Sequence, residues 1–310
     1  MTRAQIVRGL EAVPPGPSVV AIGFFDGVHR GHQTIIRRAV RAGQASGVRS
    51  AVVTFDRHPM EVVNPGSQPK LLMTLARRAG TLAEQGVDLV VVMPFDDDVR
   101  HLSPEGFVDH VLVDPLQAQR VVVGANFRFG HRAAGDVATL SHLGPSRGFD
   151  AEGVTLLELD GVVISSTEIR GAVEQGDVAL AARMLGRPPS IDGVVVRGNQ
   201  RGAGLGYPTA NVQVDARLAV PARGIYAGEF TLDGDRRPCV TNVGVNPTFG
   251  GQELRVEAHL LDFDGDLYGR EVSVDFRHRI RDEEKFDSVE QLVAQIDADA
   301  AEARRLLGLT

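Results

Sequence analysis

The sequence predicts two domains: an α/β N-terminal domain of Rossmann-like type with a parallel sheet, and a C-terminal small antiparallel β-barrel with a long C-terminal helix. Up to residue 186, buried-strand runs alternate with amphipathic helical segments, which is typical of parallel sheets. From residue 191, closely spaced short strands punctuated by glycine indicate a barrel. The segment Gly186-Arg187-Pro188-Pro189-Ser190 breaks the pattern between them. We therefore place the domains at 1–186 and 191–310, joined by a linker over 187–190.

Composition excludes several classes of protein. The 310 residues carry a net charge of −7, and neither half has the excess of basic residues expected of a nucleic-acid binder. No apolar run is as long as a membrane span, and the N-terminus lacks the apolar core of a signal peptide. The single cysteine, Cys239, fits a reducing compartment, so we expect a cytoplasmic protein with neither membrane nor nucleic-acid partners. Because lysine is rare and a P-loop motif is lacking, phosphate binding should depend on arginine, histidine and backbone amides.

The first strand run, Val19 to Ile22, leads into Gly23-Phe24-Phe25-Asp26-Gly27-Val28-His29-Arg30-Gly31-His32, and a helical pattern follows from Gln33 to Ala45. The open amides and dipole of a helix N-terminus attract phosphate. His29 and His32 lie three apart, on one side of the first helical turn, where imidazoles can balance charge on a phosphate. The alternative is a pair of surface histidines after an ordinary turn. The predicted phosphate-binding residues here are Gly23, Phe24, Asp26, Gly27 and Gly31.

The second strand run, Arg49 to Phe55, ends in Asp56-Arg57-His58-Pro59. In open α/β sheets the loops at strand C-termini form the ligand crevice, so Phe55, Asp56 and His58 should line the same cleft as His29. Taken alone, Asp56 is equally well explained as a turn residue. An amphipathic helix is predicted over 71–85, followed by a strand over 87–93.

The segment that follows the fourth predicted strand, residues 120–124, contains further candidate ligand contacts. Ser103-Pro104-Glu105 starts a predicted helix that runs to about Asp114, and Arg120 to Gly124 forms the strand. Asn126, Arg128 and Phe129 then follow at the strand end, where an amide, a guanidinium and an aromatic ring suit a ring system beside a phosphate. A packed turn without ligand contacts is the alternative.

A fifth strand over 153–158 precedes a second predicted anion-binding helix start. Ser166 and Thr167 supply hydroxyls at this start, and Arg170 lies one turn into the helix. Simple N-capping by the same hydroxyls explains the residues equally well. Helices continue to Leu185.

The barrel strands are predicted near 193–197, 224–232, 238–245, 254–261 and 271–276, and one long amphipathic helix over 287–307. Between the first two strands lies a glycine-rich segment, Gly198 to Asn211. Pro208 follows where a dinucleotide-binding helix would begin, so a flap that wraps phosphates is the better interpretation. Thr209 and Asn211 face one side of an extended segment, and their oxygens suit Mg²⁺ carried by ATP. The predicted phosphate-binding residues of the flap are Gly198, Arg201, Gly202, Gly204 and Gly206.

Glu257 is a carboxylate among apolar residues in a predicted strand. It is either a surface residue or the general base that accepts a proton from a substrate hydroxyl in phosphoryl transfer. Strand alternation does not distinguish these two roles.

Several of these motifs resemble those of known enzymes. The pattern G-x-F-D-G-x-H-x-G-H resembles the signature of the H-x-G-H nucleotidyltransferases in the form of their FAD synthetase branch. Pro208-Thr209-Ala210-Asn211 within its glycine-rich segment is similar to the riboflavin kinase signature, as are Gly224 to Gly228, Asn242 to Phe249 and Glu257 to Gly269. In the family's order and over most of its length, the chain resembles the bifunctional riboflavin kinase/FAD synthetases of bacteria.

The resemblance implies two reactions with separate sites. The C-terminal domain would convert riboflavin and ATP to FMN and ADP, with Glu257 as base and Mg²⁺ as the cofactor that accompanies ATP. The N-terminal domain would convert FMN and a second ATP to FAD and pyrophosphate, with His29, His32 and Arg170 stabilising the transferred group. The flavin would lie against Phe55, Asp56, His58, Asn126, Arg128 and Phe129. A monomer or weak homo-oligomer is expected.

Two positions depart from the family pattern: Arg57 stands where proline is usual, and Arg197 where histidine is frequent. Neither removes a group that the chemistry needs. One rival function is a nucleotidyltransferase for another phosphorylated small molecule, whose barrel binds flavin without catalysis. The other is a flavin-binding sensor that has lost its chemistry.

Overall fold

The computed structural model describes residues 4–198, 207–248 and 251–309. Contacts divide the chain into two compact units, Met1–Pro69 with Thr74–Ser166, and Lys70–Met73 with Thr167–Thr310. By contacts the helical segment over 167–185 groups with the barrel, so the boundaries 1–186 and 191–310 remain a sequence-based prediction. Each unit is described by itself below.

The first unit is built on a six-stranded parallel sheet in the order β1-β4-β3-β2-β5-β6, which confirms the predicted α/β class. All residues of β2 and β4 are buried, because helices cover both faces of such a sheet. The central position of β2 places its C-terminal turn in the middle of the strand-end edge. The strands are β1 Gln5–Arg8, β2 Ser18–Ile22, β3 Arg49–Phe55, β4 Leu89–Met93, β5 Ala118–Gly124 and β6 Asp150–Val154.

The helices of this unit are α1 Arg30–Ser46, α2 Met60–Val63, α3 Leu75–Ala83, α4 Asp97–His101, α5 Pro104–Phe107 and α6 Val137–Arg147. The predicted helix over 71–85 begins only at Leu75, where the Thr74 hydroxyl accepts from the Arg77 amide. The predicted helix from Ser103 changes at Val108 into a π-helical turn, Val108–Val113. A short hairpin, β7 Glu158–Leu159 with β8 Val162–Val163, follows β6.

The second unit contains a closed antiparallel barrel of six strands in the order β10-β13-β12-β11-β14-β9. The sequence predicted a barrel with five strands; the sixth is β10, which begins directly after Thr209. Tyr226, Phe230 and Phe276 fill the barrel core. The elements are α7 Ser166–Glu174, α8 Val178–Leu185, β9 Ser190–Val196, β10 Ala210–Val214, β11 Gly224–Leu232, β12 Asp235–Thr248, β13 Gly251–Leu260, β14 Glu271–Arg281 and α9 Val289–Leu306.

Two further contacts complete the second unit. The segment Lys70–Met73, here called the strap, pairs with residues 216–219: the Leu71 amide donates to the Arg217 carbonyl, and the Ala219 amide to the Leu71 carbonyl, both at 2.8 Å. Arg281 holds α9 through two hydrogen bonds to the buried Asp299, at 2.8 and 2.7 Å. Within the described residues, the search for a helix of membrane-spanning length and apolarity finds none.

Candidate active sites

The turn after β2 forms the centre of the first site. Phe25, Gly27 and Val28 all have left-handed backbone angles, with φ values of 55°, 77° and 40°. Such a conformation is unfavourable for a β-branched residue, so Val28 is strained. Asp26 and His29, which lie in this turn and at the start of α1, are both buried.

The two histidines stack on each other, with ring centroids 3.5 Å apart and an interplanar angle of 22°. His29 is the N-cap of α1, because its Nδ1 accepts from the His32 amide at 3.3 Å. This bond leaves Nε2 of a neutral His29 to carry the proton. Gly31 makes room for the pair, since a Cβ there would lie 3.1 Å from the His29 ring.

Burial, followed by the proximity of His29 and Arg78, lowers the pKa of His32 well below 6.5. Two stacked imidazoles beside an arginine cannot both be cationic at low cost. His32 is therefore neutral near pH 7.

The end of β3 lies beside this turn. His58 packs its ring edge on Phe24, with centroids 4.9 Å apart, and its Nδ1 accepts from the Met60 amide. Asp56 accepts from the Phe95 amide at 2.9 Å and pairs with Arg57 at 2.8 Å. Although burial opposes ionisation, the hydrogen bond from Arg57 and that from the Phe95 amide hold the pKa of Asp56 below its usual value. Arg57, which departs from the family pattern, thus forms an ion pair with Asp56.

The loop after β5 brings Asn126 and Arg128 to the surface and Phe129 into the core. Arg128 pairs with Asp136 at 3.1 Å. Phe129 is buried between Phe107 and Phe127, so its ring offers little surface to a ligand. The roles of these three residues in flavin binding stay a prediction.

Within the first unit, the Ser166 hydroxyl donates to the Asp26 carbonyl at 3.0 Å. Thr167 is exposed and Arg170 is half-buried on α7. By contacts both belong to the second unit.

One buried charged residue at this site escaped the sequence interpretation. Arg78 of α3 is fully buried beside the β2 turn, with its guanidinium over the Phe24 ring. The signal was present in the helical spacing, because Arg78 shares a face with Leu75 and Leu82. An arginine on the apolar face of a helix is rarely buried unless it has a specific partner.

The second site lies on the outer face of the barrel. Glu257 stands opposite Asn211 of β10 on one side and Asn242 of β12 on the other. Its neighbours Val256 and Ala258 point into the core, so Glu257 points outward. The Asn242 Oδ1 is buried and has no hydrogen-bond partner among the described residues.

Arg255 links Glu257 to a second carboxylate. Its Nη1 lies 3.6 Å from Glu257 Oε2, and its Nη2 lies 3.8 Å from Glu283 Oε1. Because residues two apart in a strand share a face, Arg255 and Glu257 project from β13 side by side.

A cavity of about 290 Å³ opens next to Thr209. The loop over 263–268 closes its other side, and the Tyr268 ring there stacks under Arg197, with 5.5 Å between guanidinium and centroid. Gly198 lies against the Asn211 amide, since a Cβ at 198 would be 2.3 Å from Asn211 Nδ2. The predicted flap residues Arg201, Gly202, Gly204 and Gly206 lie outside the described residues.

Comparison with known proteins identifies the family. The FAD synthetase family model matches residues 13–168, and the riboflavin kinase family model matches residues 185–307. The chain is 44% identical to a bifunctional riboflavin kinase/FMN adenylyltransferase of Pseudomonas fluorescens, with 97% of each chain covered. It is 37% identical to that of Escherichia coli strain K12, with 99% of each covered. The chain belongs to the bifunctional riboflavin kinase/FMN adenylyltransferase family.

The architecture also matches a solved structure across both units. A protein described as a macrolide-efflux protein from Streptococcus pneumoniae superposes with a TM-score of 0.88 at 32% identity, covering 98% of this chain and 99% of that one. The chain therefore shares its fold with that protein over nearly its full length.

The donors present in this member of the family bear on metal binding. Among the described residues, no group of three or more His, Cys, Asp or Glu side chains could hold a metal ion. The orphan Asn242 Oδ1 beside Glu257, with the oxygens of Thr209 and Asn211 nearby, fits a hard cation that brings further ligands of its own.

Proposed function

We infer that the protein makes both FMN and FAD: one unit phosphorylates riboflavin with ATP, and the other adenylylates FMN with a second ATP. The observation that carries this inference is the tandem match to both families on units with two separate polar sites. The substrates and products are riboflavin, FMN, FAD, ATP, ADP and pyrophosphate. We further propose a cytoplasmic protein that is a monomer or weak homo-oligomer.

In adenylyl transfer, a phosphate oxygen of FMN attacks the α-phosphorus of ATP. The new P–O bond forms as the bond to pyrophosphate breaks, and the nucleophile is already ionised, so no protein base is required. His29 and the neutral His32 donate hydrogen bonds to the phosphates at the start of α1, where the helix dipole adds favourable potential. Ser166, Thr167 and Arg170 are proposed to hold the remaining charge.

The flavin of FMN is proposed to lie along the ends of β3 and β5. Phe55, Asp56 and His58 form one side, and Asn126, Arg128 and Phe129 the other. The neighbouring ends of parallel strands are the usual place for such a ligand.

In riboflavin phosphorylation, Glu257 accepts the proton of the ribityl 5′-hydroxyl while that oxygen attacks the γ-phosphorus and ADP leaves. Thr209 and Asn211 would hold Mg²⁺ through their oxygens, and the ion neutralises phosphate charge when it is bound with ATP. The cavity beside Thr209 is of a size for the nucleotide, whose phosphates would then extend toward Glu257.

One incubation tests both activities. Riboflavin, ATP and Mg²⁺ are mixed with the protein, and the flavins are separated by chromatography over time. FMN should appear first and FAD after it. A parallel incubation supplies FMN in place of riboflavin. FAD from that FMN without any FMN from riboflavin would show that the barrel does not catalyse phosphorylation, and no conversion in either incubation would favour a sensor.

A further inference from the structure

Arg78 is a cation enclosed within the adenylyltransferase unit. It is 1% exposed, although arginine is almost never fully buried without specific partners. Its element, α3, packs against the β2 turn, which carries His29 and His32. Nothing in the proposed chemistry so far requires a buried charge on this helix.

The guanidinium touches two separate loops at once. Its plane lies over the Phe24 ring of the β2 turn, with 4.1 Å between the Arg78 Cζ and the ring centroid. One of its nitrogens, Nη2, donates a hydrogen bond to the carbonyl of Phe55, the last residue of β3. A rigid, planar cation can make both contacts together because stacking uses its face and hydrogen bonding uses its edge.

The charges around Arg78 come from the same two loops. Asp26 of the β2 turn, Asp56 after β3 and Glu61 of α2 all act on it electrostatically, which offsets part of the cost of its burial. After burial and His29, the charge of Arg78 is a further cause of the lowered pKa of His32. Burial still dominates and lowers the pKa of Arg78 to about 10, so the side chain stays charged at neutral pH. Its Nε has no hydrogen-bond partner among the described residues.

We propose that Arg78 is a positioning residue for adenylyl transfer: it clamps the phosphate-binding turn to the end of β3. This proposal rests on the proposed FMN adenylyltransferase activity. The Phe24 contact fixes the turn that holds ATP phosphates, and the Phe55 contact fixes the edge proposed to hold FMN. The clamp therefore sets the distance between nucleophile and α-phosphorus.

Three variants of the full-length protein test the clamp: Arg78→Met, Arg78→Gln and Arg78→Lys. The control is Arg77→Met, the same change at the preceding residue of α3, which is only half-buried. FAD formation from FMN and ATP is followed from pH 5 to 9, and riboflavin phosphorylation by the same preparations serves as the internal standard. Circular dichroism and thermal melting report folding.

We expect Arg78→Met to lower kcat for FAD formation on the order of 10²-fold, because misplacement of reacting groups by about an ångström costs that much. Riboflavin phosphorylation should not change. Arg78→Lys should recover only part of kcat, since an ammonium keeps the positive charge but cannot both stack on Phe24 and donate to the Phe55 carbonyl as a planar guanidinium does. Arg77→Met should behave like the wild type in both reactions.

The pH dependence separates a clamp from a merely structural residue. Without the cation, His32 protonates more easily, so the acidic fall in FAD formation should move to higher pH in Arg78→Met and Arg78→Gln and stay in place in Arg78→Lys. Arg78→Gln provides this readout if Arg78→Met does not fold. Wild-type kcat with an unmoved acidic limb in Arg78→Gln would overturn the proposal. A wild-type protein that makes no FAD would instead refute the proposed function itself.

Discussion

The two sites of this protein are built in opposite ways. In the adenylyltransferase unit the polar groups are enclosed: Asp26 is 2% exposed and His29 5%. In the kinase unit the polar groups lie on the barrel surface, where the side chains of Glu257 and Arg255 are 21% and 29% exposed. The first site is formed by a turn with strained backbone angles. The second is formed by side chains that lie opposite one another on neighbouring strands.

The difference follows from what each reaction asks of the protein. Adenylyl transfer to an ionised phosphate needs no proton acceptor, so its site can consist of fixed donors whose protonation need not change during the reaction. Phosphorylation of a hydroxyl needs a carboxylate that takes up a proton and releases it again, which requires contact with solvent. We therefore expect substitutions in the two units to affect separate reactions.

The largest expected effect is the loss of FAD formation in the double variant His29→Ala with His32→Ala. Loss of one preorganised donor typically costs about 10²–10³-fold, so the double variant should stop measurable FAD formation. FMN should still accumulate from riboflavin, because Glu257 and Thr209 belong to the other unit. The control is His142→Ala, an exposed histidine of α6. An equal fall in FMN formation by a folded double variant would contradict the separation of sites.

Glu257→Gln tests the site of the kinase unit. The amide keeps the shape but accepts no proton at neutral pH, so kcat for FMN formation should fall by about 10²–10⁴-fold while the affinities for riboflavin and ATP change little. FAD formation from supplied FMN should persist. Steady-state kinetics of this variant and of Glu271→Gln, an exposed position on the same barrel, decide the matter. Near-normal kinase turnover would make Glu257 a surface residue only.

Burial of His32 should make the adenylyltransferase unit sensitive to acid. Above pH 6.5 the imidazole is neutral in both folded and unfolded chains. As the pH falls from there toward the lowered folded pKa, the unfolded state binds a proton that the folded state refuses, so stability is lost. Melting temperatures between pH 5 and 8 should fall less steeply toward acid in His32→Gln than in the wild type. His142→Gln should leave the slope as it was; identical slopes in all three proteins would argue against a neutral, buried His32.

The smallest effect concerns the metal. Thr209 and Asn211 are too few to hold Mg²⁺ without phosphate oxygens. Calorimetry of the nucleotide-free protein with Mg²⁺ should therefore show no tight binding, whereas addition of ATP should produce a Mg²⁺-dependent signal. Tight binding to the protein alone would mean that a metal site precedes the nucleotide.

Much of the fold was predictable because its signals are local. The buried runs of β2 to β5 and the glycine-punctuated barrel strands can be identified from periodicity. β1 was missed because only Val7 is buried in a strand of four residues, so no alternation is visible. The start of α3 was misplaced because Leu71 pairs with residues far along the chain, and tertiary pairing overrides helical periodicity.

The sites divide in the same manner. The H-x-G-H turn and the Thr209–Asn211 pair follow from spacing, and the register of the barrel strands then places Glu257 opposite Asn211. The contacts of Arg78 and Arg255 were not predictable, because they join elements that are distant in sequence or lie on a face whose direction was unknown. The burial of Arg78 could have been predicted from its helical spacing. Polar residues on predicted apolar faces were the signal that was overlooked.

The strap has a consequence for the order of events at the ribosome. Lys70 donates to the Ala216 carbonyl, a partner 146 residues later. At ~5–20 residues per second, the strap emerges roughly 7–30 s before the barrel residues that it pairs with. Throughout that interval Leu71, Leu72 and Met73 have no partner strand, although Met73 ends up 3% exposed. Synthesis therefore exposes a short apolar segment for many seconds, and a nascent chain paused before residue 216 is where a chaperone or protease would find it.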